Sequence, residues 1–376
     1  MQTLIVGLPS LNEADNIRDL TQNVDAGCKK YFPNCRCILL NVDCQSPDGT
    51  REVFLSTDTQ CEKVSLTTER HAQGKGAALR LVFQYVLSSG ADFGLCLDTD
   101  TKTLTAEWLE AFKAALATCD FATPRYLRHR FDGTITNMLC YPVICAVFGC
   151  DMRQPIGGDF AFSHKAAEAF LQQPWPSQAE KYGIDIFMST TILKAGLRIV
   201  EVELPPKVHK PSLPKLPQMF SEVVATLLHQ LPRKATAVTA EVAALPRVAS
   251  ALECHEPPEL EVDPDQLRST ARTCLAANLE CIAKTLPQGL MDVEATMATG
   301  ELSCEEWVKV LCWALRTRHR SSDEDVVKVL QCLFFLRAAS HCAQVCSMSN
   351  SEAEELVLLQ RDQLIAAHAL EPKAVA

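Results

Sequence analysis

The chain has 376 residues, of which 47% are hydrophobic and 22% charged, a composition typical of a globular protein with a sizeable core. Its formal net charge of −10, with no run of Lys and Arg, argues against nucleic acid or an anionic membrane surface as the main partner. The longest near-apolar run, residues 138–148, is too short to span a bilayer, and the amino terminus lacks the positive region of a secretory signal. The sequence therefore predicts a soluble, cytoplasmic protein with no membrane partner.

The first 200 residues alternate short β-rich runs with helix-like stretches. Strands are predicted at residues 3–8, 37–42, 63–66 and 93–97, and helices at residues 12–31, 48–56, 76–88 and 106–117, with Asn12 as the first N-cap. This alternation predicts an α/β fold with a mainly parallel sheet covered by helices on both faces. Ligands bind such sheets beyond the carboxyl ends of the strands, where the polar segments LPSLNE, DCQSPDGT and DTDT fall.

The pattern changes after residue 205. A Pro- and Lys-rich stretch leads into a helix near residues 219–230, and residues 231–264 have little periodicity. The remainder is predicted to be helical, with an N-cap and N1 pair at Asp263-Pro264 and capping boxes at Ser303/Glu306 and Ser349/Glu352.

Three regions follow from this reading: a first domain over residues 1–230, a linker over 231–264 and a helical domain over 265–376. Apolar side chains of the tail follow helical spacing and need burial, so we expect the tail to pack on the first domain or on another subunit. A homo-oligomer therefore stays open. The 18 cysteines include no CxxC pair, which favours small buried hydrophobic residues of a reducing compartment over zinc ligands.

Two carboxylates, Asp98 and Asp100, directly follow the fourth predicted strand. Carboxylates at a strand terminus can bind a hard divalent cation, which in turn clamps a diphosphate. A DxD triplet by itself is weak, because such triplets are common in caps and solvated turns, but its position after a strand favours the metal interpretation.

Other polar residues have a functional and a structural interpretation. Lys75, between two glycines at a predicted helix start, could hold phosphate or lie in a solvated turn. Asp159 and Asp185 each follow a glycine motif and could be site residues or caps. His209 could be a metal ligand, although a lone histidine is more often solvated or packed.

Taken together, these motifs resemble one family. The segments PSLNE, VDCQSPDGT, GKG and LDTD are similar to the nucleotide-binding half of GT-A glycosyltransferases. Further along, RHRFDGTIT, RQPIGGDF, YGIDI and KVHKP are similar to mannosylglycerate synthase and its glucosylglycerate and glucosyl-3-phosphoglycerate synthase relatives. The resemblance covers about residues 3–230, and the helical tail resembles theirs more loosely. It implies a GT-A, Rossmann-like catalytic domain with a carboxyl-terminal helical appendage.

The resemblance also implies residue roles. The nucleotide-sugar donor would be held by Pro9, Leu11, Glu13, Asp43, Lys75, Asp98 and Gly158. The divalent cation, Mn²⁺ or Mg²⁺, would be bound by Asp100 and His209, with Asp98 contacting ribose or a metal-bound water. Asp185, Asp159 and Lys75 would act at the reacting sugar, and Arg128, Thr136 and the backbone around Ile156 would bind the carboxylate of the acceptor.

The implied activity is a retaining transfer of mannose or glucose to a small carboxylate acceptor such as D-glycerate, with glycerate favoured over 3-phosphoglycerate. The donor would be GDP-mannose, GDP-glucose or UDP-glucose. Two alternatives stay open: an inverting transferase acting on a polyprenyl phosphate or a polysaccharide, and a sugar-nucleotide-binding or nucleotidyltransferase protein of similar fold.

Overall fold

The computed structural model describes residues 1–71, 74–210, 213–232, 242–317 and 323–369. Its strands, in chain order, are β1 (Gln2–Ser10), β2 (Cys35–Asp43), β3 (Glu62–Thr67), β4 (Phe93–Cys96), β5 (Phe121–Tyr126), β6 (Cys150–Asp151), β7 (Phe160–Ser163), β8 (Ile199–Leu204), β9 (Ala243–Ala244) and β10 (Arg247–Ala249).

The α-helices are α1 (Ile17–Tyr31), α2 (Thr50–Ser56), α3 (Lys75–Ser88), α4 (Trp108–Leu116), α5 (Tyr141–Phe148), α6 (His164–Gln172), α7 (Ile184–Ala195), α8 (Leu216–Gln230), α9 (Pro264–Ala277), α10 (Leu279–Thr285), α11 (Val293–Thr299), α12 (Cys304–Thr317), α13 (Asp323–Val345) and α14 (Asn350–Ala369). A short π-helix, Thr136–Cys140, runs directly into α5.

The chain divides into two compact units that interleave along the sequence. The first unit contains Met1–Leu127, Gln154–Leu216 and Leu245–Pro257, and the second contains Arg128–Arg153, Pro217–Ala244 and Pro258–Ala376. The predicted domains are contiguous blocks, and the first of them includes residues 128–153 and 217–230. The structure groups these residues with the tail helices instead. The carboxyl-terminal helical region itself is present as predicted.

An eight-stranded sheet in the order β10-β8-β5-β7-β4-β1-β2-β3 forms the centre of the first unit. All neighbouring strands are parallel except β7, which runs antiparallel to β4 and to β5. The last seven residues of both β1 and β2 are buried without interruption, as expected of strands that are covered on both faces. The predicted mainly parallel α/β sheet is therefore confirmed.

Two predicted boundaries in this unit are wrong. The first helix begins at Ile17 rather than near Asn12, and Asn12 has a left-handed backbone with φ 59°. Its backbone N–H donates to Ser46 Oγ at 2.9 Å, which ties the loop after β1 to the loop after β2. The predicted linker also contains β10, which adds an edge strand to the main sheet, whereas residues 233–241 of that linker lie outside the described residues.

The second unit packs residues 128–153 among the tail helices. Trp307 Nε1 of α12 donates to Met138 O at 2.8 Å, and Gln360 Nε2 of α14 donates to the same carbonyl at 2.9 Å. The predicted cap at Asp263 is confirmed, since its side chain accepts from the N–H groups of Asp265 and Gln266. Both predicted capping boxes are also confirmed by hydrogen bonds in each direction.

Helix α13 contains the described segment that is long and apolar enough to cross a membrane. This segment is Glu324–Val345, and 78% of its most apolar window is buried inside the structure, as in the core helix of a soluble protein. The shorter near-apolar run of the sequence, residues 138–148, forms the end of the π-helix and α5.

Candidate active site

Polar loops follow β1, β2 and β4, which are neighbours in the sheet and parallel to one another. Hydrogen bonds join these loops: Thr99 Oγ1 donates to Pro9 O at 2.6 Å, and Asn16 Nδ2 donates to Thr99 O at 2.6 Å. The chain order reverses between β4 and β1, so the loops lie at the switch point where open α/β sheets bind ligands.

Asp98, immediately beyond β4, lies between two ammonium groups. Its Oδ1 is 2.7 Å from Lys75 Nζ and its Oδ2 is 2.8 Å from Lys207 Nζ. Burial alone would raise the pKa of Asp98, but the charges of Lys207 and Lys75 outweigh it and hold the pKa well below its usual range. Asp98 is therefore an ionised carboxylate whose two oxygens both face cations of the protein itself.

Lys75 is the first residue of α3, as the sequence predicts for the GKG motif. Its ammonium group contacts Asp98, Asp185 Oδ1 at 3.0 Å and the carbonyl of Gly158 at 3.4 Å. Burial would lower the pKa of Lys75, but Asp185 and Asp98 outweigh that effect and raise it. A group predicted to hold a donor phosphate is thus already engaged with three protein acceptors.

The structure explains the requirement for glycine at position 76 differently from the sequence analysis. A Cβ at Gly76 would lie 1.8 Å from Ala179 O, and the Gly76 N–H donates to Lys181 O at 3.1 Å. Glycine at this position thus permits a close approach of the protein's own backbone, where the sequence suggested the approach of a ligand.

Asp159 and Lys207 form the inner part of the same cluster. Asp159 is fully buried and accepts hydrogen bonds from the Asp98 N–H at 2.7 Å, from Lys207 Nζ at 2.8 Å and from the Tyr126 hydroxyl. The pKa of Lys207 is raised, because the charges of Asp159 and Asp98 outweigh the opposing effect of its burial. Gly158, predicted to line the sugar site, has φ +93°, and a Cβ there would lie 2.2 Å from Asp98 Oδ2.

Asp185 lies in the first turn of α7, beside Lys75. Burial raises the pKa of Asp185, and the negative charge of Asp98 adds to that effect, while Lys75 opposes it. The N-cap of α7 is Gly183 and no side chain makes a capping hydrogen bond there, so Asp185 is a first-turn carboxylate that the helix amino terminus stabilises, not the cap.

Asp100 differs from the other carboxylates of the cluster. No Lys or Arg of the described residues lies within ion-pair distance of it, and burial raises its pKa, with the charge of Asp98 adding to the effect. His209, which also acts on the pKa of Asp100, holds its Nδ1 at 2.7 Å from Lys210 O. Metal-binding histidines commonly fix their ring in this way and leave Nε2 for the ion.

The residues expected to hold the nucleoside lie in the loops after β1 and β2. Asp43 ends β2 and accepts from the Ser46 N–H at 2.9 Å and the Ser46 hydroxyl at 2.6 Å. Glu13 is 2.9 Å from Lys210 Nζ, and its burial raises its pKa. Leu11 is 52% exposed, and the carbonyl of Pro9 is taken by Thr99.

The residues expected to bind the acceptor fall in both units. Ile156 belongs to the first unit, whereas Arg128 and Thr136 belong to the second. Arg128 Nη1 is 2.6 Å from Asp132 Oδ2, so a carboxylate of the protein already pairs with the guanidinium group. Thr136 is a buried residue that opens the π-helix. The neighbouring Arg125 and Arg130 pair with Glu201 at 3.3 Å and Glu259 at 3.5 Å, respectively.

Sequence reasoning missed two members of the cluster, Lys207 and Tyr126. Lys207 lies two positions before His209 in the KVHKP motif, and alternation in an extended segment would have put the two side chains on one side. Tyr126 ends β5 and gave no signal in the sequence, because only the sheet order brings β5 near Asp159.

Comparison with known families supports the resemblance over much of the first unit. Residues 50–228 match the family model described as mannosylglycerate synthase, GT domain. The predicted resemblance to GT-A glycosyltransferases of this type is confirmed, and it supports a transferase that uses a nucleoside-diphosphate sugar. No curated protein sequence matches the chain.

Solved structures with similar folds include glucosyl-3-phosphoglycerate synthase from Mycobacterium tuberculosis, in complex with Mg²⁺ and uridine diphosphate. It is 24% identical and aligns over 61% of this chain and 79% of its own, with a TM-score of 0.49. Mannosyl-3-phosphoglycerate synthase from Rubrobacter xylanophilus is 22% identical over 61% of this chain and 74% of its own, with a TM-score of 0.49. S. aureus TarS is 12% identical over 92% of this chain and 91% of its own, with a TM-score of 0.44. None of these three reaches a TM-score of 0.5, so the assignment rests on the family match.

Proposed function

We propose that this chain, whose residues 50–228 match the model of the mannosylglycerate synthase GT domain, is a retaining hexosyltransferase. It would move mannose or glucose from a nucleoside-diphosphate sugar to a small hydroxy acid such as D-glycerate. The observation that carries the proposal is the buried cluster of Asp98, Asp159, Asp185, Lys75 and Lys207 beyond the carboxyl ends of the central strands. Opposed pKa shifts within one buried cluster are typical of catalytic centres.

The charge of the cluster supports a divalent cation as cofactor. Three carboxylates face two ammonium groups, and Asp100 adds a fourth carboxylate without a cationic partner among the described residues. The excess of two negative charges matches one Mn²⁺ or Mg²⁺ ion, which prefers carboxylate oxygen as ligand. We propose Asp100 and His209 as the ligands, because Asp100 lacks an internal counter-ion and Nδ1 of His209 is held by a carbonyl.

Asp98 has a different role in this proposal from Asp100. Both of its oxygens contact lysines, so a direct metal bond would require one lysine to leave. We therefore propose that Asp98 faces the ribose or a metal-bound water, and that Lys75 and Lys207 fix its orientation. Lys75 would reach a donor phosphate only by releasing one of its three acceptors, which makes positioning its first role.

The chemistry expected of a divalent cation here is neutralisation of the departing nucleoside diphosphate, which lowers the barrier to an oxocarbenium-like transition state. Retention requires the acceptor hydroxyl to approach from the face of the leaving group, whose oxygen then takes the proton. Asp185, held by Lys75, would orient the sugar and the acceptor hydroxyl. Asp159 has both oxygens occupied by Asp98, Lys207 and Tyr126, which argues against its acting as a covalent nucleophile.

For the acceptor, we propose that its carboxylate binds Arg128 in place of Asp132. A guanidinium group pairs bidentately with carboxylates, and the 2.6 Å contact with Asp132 is an interaction of that chemistry within the chain. Arg125 and Arg130 have carboxylate partners of their own, so a second anionic group on the acceptor would have fewer cations to meet. This supports glycerate over 3-phosphoglycerate.

A transfer assay tests the proposal. The full chain is incubated with GDP-mannose, GDP-glucose or UDP-glucose, with D-glycerate or 3-phosphoglycerate, and with Mn²⁺, Mg²⁺ or EDTA. We expect one donor to give a glycoside of glycerate whose anomeric configuration, read by NMR, equals that of the donor. The Asp100→Asn variant serves as the matched inactive control. A product of inverted configuration, or transfer that continues in EDTA, would contradict the proposal.

A further inference from the structure

Two thiols of the second unit face each other across a helix pair. Cys274 lies on α9 and Cys332 on α13, and their sulfur atoms are 2.8 Å apart although 58 positions separate them in the chain. A disulfide bond has a sulfur–sulfur length of about 2.05 Å, so the two atoms need to approach by only about 0.8 Å to reach it. Packing of α9 on α13 has therefore already aligned the two side chains.

We propose that Cys274 and Cys332 form a reversible, peroxide-sensitive disulfide that ties α9 to α13. The oxidant is hydrogen peroxide. The Cys274 thiolate attacks one peroxide oxygen, the O–O bond breaks, and the released hydroxide takes a proton to become water. Cys332 sulfur then attacks the Cys274 sulfenic acid, the S–O bond breaks, and the Cys332 proton leaves with the second water. Two thiols thus lose two electrons to one peroxide, and an added dithiol returns them.

The surroundings assign the attacking role to Cys274. It is partly exposed, whereas Cys332 is fully buried, so a small oxidant reaches Cys274 first. The Cys274 sulfur lies within hydrogen-bond distance of the Cys332 sulfur, with either thiol able to donate, and it accepts from the Asn278 amide at 3.9 Å. The hydrogen bond from Cys332 is the main reason that the pKa of Cys274 falls to about 7. A partly exposed thiol with a lowered pKa has the properties of redox-sensing cysteines.

Formation of the Cys274–Cys332 disulfide would change how firmly α9 is held against α13. Helix α9 packs on α13, but of its residues only Ala271 and Leu275 are buried, and the others are half-buried or exposed. Elements with few buried contacts open locally at low free energy. A covalent bond from Cys274 to the buried Cys332 would suppress that opening, which gives the oxidised and reduced forms a measurable difference.

Neighbouring cysteines provide internal references. Cys281, on α10, has its sulfur 3.7 Å from Asp325 Oδ1, so it is held by another partner. Cys254 and Cys346 are exposed, and neither has a thiol within hydrogen-bond reach among the described residues. If exposure alone governed oxidation, these two would react before the Cys274–Cys332 pair.

The test uses the reduced full chain, treated with stoichiometric hydrogen peroxide, blocked with N-ethylmaleimide and mapped by mass spectrometry without reduction. We expect peptides containing Cys274 and Cys332 to be joined, with loss of two hydrogens, before Cys254 and Cys346 are oxidised, and dithiothreitol to separate them. Cys332→Ala should stop at a Cys274 sulfenic acid that dimedone traps, formed more slowly because the hydrogen bond that lowers the pKa of Cys274 is lost, and Cys274→Ser should leave Cys332 reduced. Free Cys274 beside oxidised Cys254, or Cys274 joined to Cys281, would overturn the proposal.

Hydrogen exchange supplies a second readout. Amides of residues 264–277 should exchange more slowly in the oxidised form, by roughly tenfold or more, because the cross-link restrains the opened state. The Cys274→Ser variant, treated in the same way, should show no change. Equal exchange in both forms of the unsubstituted chain would contradict the tethering of α9.

Discussion

Two sets of buried polar groups, one in each unit, serve different purposes. In the first unit, ionised side chains cluster beyond the strand ends, and their mutual charges raise the pKa values of Lys75 and Lys207 and lower that of Asp98. In the second unit, Trp307 and Gln360 donate to the carbonyl of Met138, each interaction being between neutral groups. The first arrangement leaves negative charge for a ligand to neutralise, while the second satisfies backbone groups of an inserted segment.

This difference distinguishes a candidate functional site from the interactions that only hold the fold together. Hydrogen bonds such as those to Met138 O compensate the cost of burying polar atoms and hold elements together. A cluster with uncompensated charge is costly to fold, which is why we assign it to binding and catalysis. Substitutions in the first unit should then affect turnover, and those in the second should affect stability, with Arg128 as an exception.

The largest expected effect is at the two proposed metal ligands. Asp100→Asn and His209→Gln should each lower kcat by roughly 10³-fold or more, because the diphosphate would depart without its counter-ion. Neither substitution should lower the melting temperature much, since burial disfavours the charged form of Asp100 and no described Lys or Arg lies within ion-pair distance of it. Steady-state kinetics beside a thermal melt provide the check, and a variant with a clearly lowered melting temperature but an unchanged kcat would reverse the comparison.

Lys207 comes next. Lys207→Met should lower kcat by roughly 10²-fold and also destabilise the fold by about 3–5 kcal/mol, because Asp98 and Asp159 lose a buried partner. The double variant Lys207→Met/Asp159→Asn removes one charge of each sign and should recover part of the stability but not the rate. Denaturant unfolding and kinetics on Lys207→Met, Asp159→Asn and the double variant measure this coupling. Full recovery of kcat in the double variant would show that Lys207 acts only on stability.

Arg128 belongs to the second unit but is expected to behave like a site residue. Arg128→Lys should lower kcat/KM for the acceptor by roughly ten- to a hundredfold, since lysine cannot form the bidentate pair, with donor KM unchanged. Asp132→Asn, which removes the internal competitor, should leave the acceptor KM equal or lower. Normal acceptor kinetics in Arg128→Lys, with weakened donor binding, would move Arg128 to the donor side.

The smallest effect on rate is expected at Trp307. Trp307→Phe removes one of two hydrogen bonds to Met138 O and should destabilise the protein by about 1–3 kcal/mol, the range for losing a buried hydrogen bond. Because Gln360 donates to the same carbonyl, the lower end of that range is expected. A melt and a transfer assay test this, and a large loss of kcat at full stability would contradict a purely structural role for this contact.

The sequence predicted well whatever depends on local pattern. Alternation of strands and helices gave the sheet, and the capping signals at Asp263, Ser303 and Ser349 gave the helix starts of the tail. The start of α1 was missed because Asn12 adopts a left-handed conformation fixed by Ser46, a contact 34 positions away.

Long-range pairing explains the gaps in the site. The position of Asp98 after a strand could be predicted from the local sequence. Its ion pair with Lys207 could not, because the two residues are 109 positions apart. Membership of residues 128–153 in the second unit was also hidden, because it depends on the contact between Met138 and Trp307, 169 positions along the chain. Local spacing contains no information about such pairs.

Calorimetric titration of the full chain with UDP and with GDP, in Mn²⁺ and in EDTA, tests most directly whether the charged cluster is a metal-assisted nucleotide-sugar site. We predict that one of the two nucleotides binds with Mn²⁺, that binding is lost or weakened by at least roughly tenfold in EDTA, and that Asp100→Asn binds as weakly with Mn²⁺ as the unsubstituted chain does in EDTA. Equal affinity with and without the metal, or no binding of either nucleotide, would contradict the account.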